Sequence, residues 1–382
     1  MSIFVFILFI LMATAVLGGL YLKHRLNNTA DNGNLEATLD TEVRKLTHRH
    51  PSHGMVVGIY KDGKSFIKGY GFLSNDNKTP PGPRTIFQLA SVSKLFTAAT
   101  LQVLCDEGVA RMDATLGEVI GGTLTLSPAA QQVTLEQLAT HTSGFPKVPK
   151  TWIRKVTKLV GRKNLLKNPY SYLELKDVFD YLQTSDGKRE PGRFKYSNFG
   201  MGLLGHVMEM MTKNNLDSVV SEKLLTSLGM HSTAIALTPE MERQLAPGHA
   251  ASGELNPIWT FGALGGAGAF NSNASDMMKF IQANIDGSSP IIHSLKRTHK
   301  KRFDGHTGIG WLQPTFLDRF LGNRSIIWHN GLVGGYASYI SVDTKNKTGL
   351  VLLSNKAIDV TMLGIMVTRQ VRTQSWSPQQ TF

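Results

Sequence analysis

The chain has 382 residues, 41% of them hydrophobic and 18% charged, enough to bury one large core or two ordinary ones and too apolar for a disordered chain. Its 41 lysines and arginines outnumber 28 acidic residues for a net charge of +13, which points to anionic surroundings such as a membrane surface or acidic polymer; no nucleic-acid motif accompanies the excess. A single cysteine, Cys105, excludes an intrachain disulfide and a cysteine-based metal site.

Residues 3–22 carry no charge and end at Lys23-His24-Arg25, a run long enough to span a bilayer core as a helix. A cleaved signal peptide with Ala13-Thr14-Ala15 at its cleavage site competes. No Lys or Arg precedes the run, however, and it continues past Ala15, so residues 1–26 read as an uncleaved anchor. The basic cluster after the span would keep the following domain in the cytoplasm. Residues 27–50 form a polar tether and a short helix, with Leu35, Leu39, Val43 and Leu46 on one face. Residues 54–72 read as an antiparallel hairpin around Lys61-Asp62-Gly63-Lys64.

A loop rich in proline and glycine then delivers the chain to Ser91. From there Val92, Leu95, Phe96, Ala99 and Val103 recur at the spacing of a helix that buries one face. Ser91 and Lys94 share its first turn. A hydroxyl at a helix N-terminus beside an amine is a candidate activated nucleophile, because the amine can take its proton and the helix dipole favours developing negative charge. Ser-x-x-Lys is a cheap pattern, and it occurs also at Ser65–Lys68, in a strand, and at Ser185–Lys188, in a turn. Only Ser91 opens an amphipathic helix.

A mostly helical region follows. A short helix over 133–140 stops at His141-Thr142-Ser143-Gly144-Phe145-Pro146. Residues 147–167 hold eight basic side chains and no acid. They read as a basic amphipathic helix, lying on an anionic membrane surface or flanking a pocket as a solvated helix. Helices are expected over 201–211, 216–228 and 277–284. Residues 262–268 are glycine-rich but have no preceding strand and no following Lys-Ser/Thr, so they do not form a phosphate cradle. Strands return over 325–329, 336–342 and 349–354, and a helix over 358–372 closes the chain. The reading is an α+β fold, an antiparallel sheet built from both chain ends with a large helical insertion. A single domain over 51–375 would hold a sheet part (51–90 and 303–375) and a helical part (91–302).

Two further motifs join Ser91 and Lys94. Tyr196-Ser197-Asn198 offers a tyrosine that could carry a proton to a leaving group and an asparagine that could hold a substrate amide. Trp328-His329-Asn330-Gly331 ends a strand along which substrate could lie, with backbone N–H groups facing the nucleophile.

In this order, and with the phrases His141-Thr142-Ser143-Gly144, Glu190-Pro191-Gly192, Gly265-Gly266-Ala267-Gly268 and Gly334-Gly335-Tyr336, the motifs resemble the serine penicillin-recognising enzymes: class C β-lactamases, D,D-carboxypeptidases and related esterases. The resemblance covers about residues 50–372. It implies the β-lactamase/transpeptidase-like fold and an acyl-enzyme on Ser91, with Lys94 as activator, Tyr196 as acid/base partner and Asn198, His329, Asn330 and Gly331 as substrate contacts. The oxyanion would be held by the backbone N–H groups of Ser91 and Leu332. His329 stands where β-lactamases commonly have lysine, and Asn330 where they have Thr or Ser, so a peptidase or esterase is expected rather than an efficient β-lactamase. A small-molecule, peptide or ester substrate is implied, with no cofactor, metal or nucleic acid. The rivals are a non-catalytic penicillin-binding or peptidoglycan-sensing protein, and a membrane or polyanion binder with a vestigial pocket. Cell-wall peptides lie outside the cytoplasm, so the resemblance favours the periplasmic face of a bacterial inner membrane, with membrane contact through 3–22 and 147–167; the cytoplasmic side is the alternative.

Overall fold

The computed structural model describes residues 35–49, 53–185, 191–287, 289–320 and 322–374. The apolar run 3–22, its basic flank and the polar tether lie outside them. Among the described residues no helix is long and apolar enough to cross a membrane.

Helix α1 (Leu35–His48) turns Leu35, Leu39 and Val43 inward. Strands β1 (Gly54–Lys61) and β2 (Lys64–Gly71) form the expected hairpin. Its two-residue turn has φ of +49° at Asp62 and +81° at Gly63, the left-handed pair that matches strand twist. A short strand β3 (Phe87–Gln88) leads to a 3-10 turn (Ala90–Val92) and helix α2 (Ser93–Asp106).

The helical middle includes α3 (Leu135–Ala139), α4 (Lys150–Lys167), α5 (Leu175–Thr184) and α6 (Asn198–Thr212). Strand β4 (Asn271–Ser272) pairs with β3, and α7 (Ala274–Ile285) follows. Strands β5 (Ile327–Leu332), β6 (Ala337–Asp343) and β7 (Thr348–Ser354) then complete an antiparallel sheet of order β2-β1-β7-β6-β5, and α8 (Thr361–Thr373) closes the domain.

Both faces of this sheet are covered, so its inner strands read as continuous apolar runs rather than alternating ones. Met55, Val57, Ile59, Leu350 and Leu352 pack with α1 and α8. Val56, Val351 and Leu353 face the core shared with α2, α6 and α7.

One expectation needs correction. Strand β5 does not stop at His329 but runs to Leu332, because Gly331 and Leu332 continue the pairing with Ser338 and Ala337. The basic stretch is helical apart from a break at Gly161 (φ +76°), and part of its apolar stripe faces its own domain. Trp152 and Val156 are buried, Trp152 against Phe199 and Tyr181, and Lys155 reaches Asp177 at 2.6 Å. Ile153 and Leu159 of the same helix stay exposed.

Candidate active site

Ser91 lies in the 3-10 turn between β3 and α2, preceded by Ala90 at φ +50°. A non-glycine residue in this region is strained by about 1–3 kcal/mol and persists only where its surroundings fix it. Here they do: Leu89 O accepts from Ser338 Oγ of β6 at 2.7 Å. A Cβ on Gly331 would stand 2.4 Å from Leu89 O and 2.9 Å from Ala90 Cβ, so β5 presses on the serine turn as only glycine allows.

Lys94, in the first turn of α2, is fully buried. Its Nζ lies 2.9 Å from Ser91 Oγ and donates to Ala267 O at 2.6 Å. Ala267 ends the glycine-rich turn Gly262–Ala267, which packs on α6 so closely that a Cβ on Gly266 would meet Met201 O at 2.8 Å. This glycine-rich turn thus supplies a carbonyl to the amine. Burial, reinforced by the positive charge of Lys147, holds the Lys94 amine well below its usual range, favouring its neutral form.

Tyr196 bonds Ser91 through its hydroxyl, and enclosure raises its pKa despite that bond. Lys94 Nζ sits 5.0 Å from the Tyr196 ring centroid. The loop carrying Tyr196 is stitched to the end of the α3 segment. Lys195 N donates to His141 O at 2.7 Å, Gly192 N to Thr142 O at 2.8 Å and Ser197 N to His141 Nδ1 at 3.2 Å. Ser197 Oγ caps α6 by accepting from Gly200 N at 2.8 Å. The His141 ring, 4.5 Å from that of Tyr196, sits at φ +59°. His141 thus packs on the Tyr196 ring and hydrogen-bonds the loop that carries it.

Asn198 Nδ2 donates to Tyr170 Oη at 2.7 Å, while its Oδ1 is buried without a hydrogen-bond partner. On β5, period two puts His329 and Gly331 on the Ser91 face and Asn330 on the other, where its Nδ2 donates to Thr361 Oγ1 at 2.8 Å. His329 is buried, and burial followed by Lys94 lowers its pKa to about 3. Its Nδ1 donates to Asn330 O at 2.8 Å, so the neutral ring leaves Nε2 as an acceptor, buried and unpartnered.

The N–H of Leu332 points off the sheet edge. Trp328, of the same parity, exchanges both backbone bonds outward with Leu312 at 2.9 and 3.1 Å, and Val333, of opposite parity, bonds inward to Tyr336 O.

Of the other Ser-x-x-Lys copies, Ser65–Lys68 forms no such pair among the described residues. Lys68 bonds Asp40 at 2.7 Å, and Ser185 meets Ser127 at 2.9 Å while Lys188 lies outside the described residues, as does Glu190. His53 bonds Ser354 Oγ at 2.9 Å. Tyr170 and the Ala267 carbonyl carry no local signal, since their partners lie far away in sequence.

The sheet, the helical insertion and the site define the β-lactamase/transpeptidase-like fold. Residues 39–364 match the Beta-lactamase family model, and the chain belongs to that family, within the superfamily of serine hydrolases. A Beta-lactamase from Psychrobacter immobilis is 26% identical over 359 residues, 85% of this chain and 84% of that protein. Protein flp from Staphylococcus aureus (strain MW2) is 24% identical over 325 residues, 83% of this chain but 62% of that longer relative. Among solved structures, a beta-lactamase/D-alanine carboxypeptidase from Pseudomonas syringae superposes with TM-score 0.74 at 20% identity, covering 89% of this chain and 99% of its own. A D-alanine carboxypeptidase from Burkholderia cenocepacia gives 0.70 at 22%, covering 88% and 98%. At these identities the structural likeness speaks for the fold alone.

Proposed function

We propose that the protein is a serine hydrolase working through an acyl-enzyme on Ser91, with peptides or esters as substrates rather than β-lactams turned over efficiently. The observation that carries this reading is the buried, neutral-leaning Lys94 amine 2.9 Å from Ser91 Oγ. Its lone pair takes the hydroxyl proton as Oγ attacks the substrate carbonyl. The N–H groups of Ser91 and Leu332 receive the negative oxygen, and Tyr196 passes a proton to the leaving group. Water then attacks the ester on Ser91 by the reverse path. Asn198 Oδ1, buried and unpartnered, suits a substrate N–H. The neutral His329 supplies an acceptor where a fixed cation would favour a β-lactam carboxylate, which supports peptides or esters.

The test is labelling by a fluorophosphonate or fluorescent penicillin. Wild type should label and turn over, and Ser91→Ala should do neither while unfolding at the same temperature. A folded wild type that takes no label would overturn the reading and favour a non-catalytic binding protein. We also propose that residues 3–22 anchor the protein with this domain on the periplasmic face. A C-terminal alkaline phosphatase fusion should be active. An inactive, well-expressed fusion beside an active cytoplasmic reporter would move the domain to the cytoplasm.

A further inference from the structure

A cavity of about 230 Å³ lies between α4 and the loop carrying Trp259, walled by Val148, Trp152, Val156, Tyr170, Leu173 and Trp259. It holds no charged side chain. Of the three polar atoms on its aromatic rings, Trp152 Nε1 donates to Asp177 O at 3.2 Å and Tyr170 Oη accepts from Asn198, while Trp259 Nε1 is buried without a hydrogen-bond partner. A wall of this kind gives an aliphatic chain contact along its length and offers a polar side chain at most one indole N–H.

The cavity is built into the candidate site. Tyr170 belongs to both, its ring lining the cavity and its hydroxyl holding Asn198. Trp259 is tied to the serine turn through Gln88, whose side chain donates to Trp259 O at 2.7 Å and accepts from Trp259 N at 2.9 Å. Gln88 is three residues before Ser91. The apolar stripe of α4 therefore ends as one wall of a chamber that adjoins Asn198 through Tyr170.

We propose that this cavity is an acyl-chain subsite and that the substrate is an ester or amide of an unbranched aliphatic acid of medium length. The proposal rests on the hydrolase reading and narrows its substrate class. At roughly the 30 Å³ that a water takes up in the liquid, the chamber has room for about half a dozen methylenes.

The experiment is a series of p-nitrophenyl esters from acetate to dodecanoate. kcat/KM should climb about three- to fourfold per methylene and level off near hexanoate to octanoate. Ile153, half-exposed at the cavity wall, offers room for bulk. Ile153→Trp should lower the octanoate-to-acetate ratio of kcat/KM at least tenfold, and Val148→Phe serves if that variant does not fold. A flat series from an enzyme that turns over acetate overturns the subsite and leaves the hydrolase reading standing. So does a length dependence confined to the alcohol side of alkyl acetates, or a ratio unchanged in a folded variant. Failure of every ester together with failure to label overturns the hydrolase reading itself. Calorimetric titration of octanoate into Ser91→Ala reads the cavity without turnover: binding weakened by Ile153→Trp is expected, and no binding overturns the proposal.

Discussion

Lys94 and Tyr196 both bond Ser91 Oγ, and Lys94 lies over the tyrosine ring. Groups that share one proton path fail together. Lys94→Ala and Tyr196→Phe should each lower kcat/KM at least about a hundredfold, and the double variant should be little worse than the weaker single. Steady-state kinetics on all three checks this, and losses that multiply would separate the two residues' roles. Ser91, Lys94 and Tyr196 were legible because motif spacing places each at the start of a helix or a turn. Tyr170 and the Ala267 carbonyl were not, because their contacts with Asn198 and Lys94 arise only on folding, across 28 and 173 residues of chain. The Asn330 side chain was read as a substrate contact, yet its amide is spent on Thr361.

Strand β5 shows why element boundaries escape a sequence reading. His329-Asn330-Gly331 has the polarity of a turn, and only pairing with β6 together with the press of Gly331 on Leu89 and Ala90 keeps it extended. Gly331→Ala should therefore push the strand off the serine turn. An ångström of displacement there costs about a hundredfold in rate, and the overlap should cost about 1–3 kcal/mol of stability. Kinetics and thermal unfolding measure both; an alanine variant with wild-type kcat/KM would show that the contact is dispensable. The basic stretch was ambiguous for a related reason. A helical stripe of Trp152 and Val156 looks the same whether a lipid surface or Phe199 covers it.

Across the whole molecule, the sheet assembled from both chain ends was legible because its strands are continuous apolar runs bounded by turns. Less visible were two histidines that enclosure keeps neutral, one on β5 and one after the helix Pro290–Thr298. Burial lowers the pKa of His299 to about 4 and of His329 to about 3, against about 6.5 in an unfolded chain. Below that value the unfolded chain binds protons that the native one does not. Stability should then fall with decreasing pH by about 1.4 kcal/mol per unit for each histidine. His299→Gln, which can still donate to Asn284 Oδ1 as the imidazole does at 2.8 Å, should flatten the slope by that increment between pH 6 and 5. Urea unfolding at the two values is the check, and an unchanged slope would remove His299 from the account.

The burial of Lys94 has a cost that runs against the chemistry it serves. An unfolded lysine is protonated and hydrated at neutral pH, and burial on folding removes that hydration and loosens the amine's hold on its proton. Activity and robustness are set against each other at this one position. Lys94→Met, inert as a hydrolase, should be more stable than wild type at pH 7, and its advantage should shrink toward pH 10 as the unfolded lysine loses its own proton. Denaturant titrations at both values measure the gap. A gap that stays constant with pH would mean that Lys94 enters the folded state still charged.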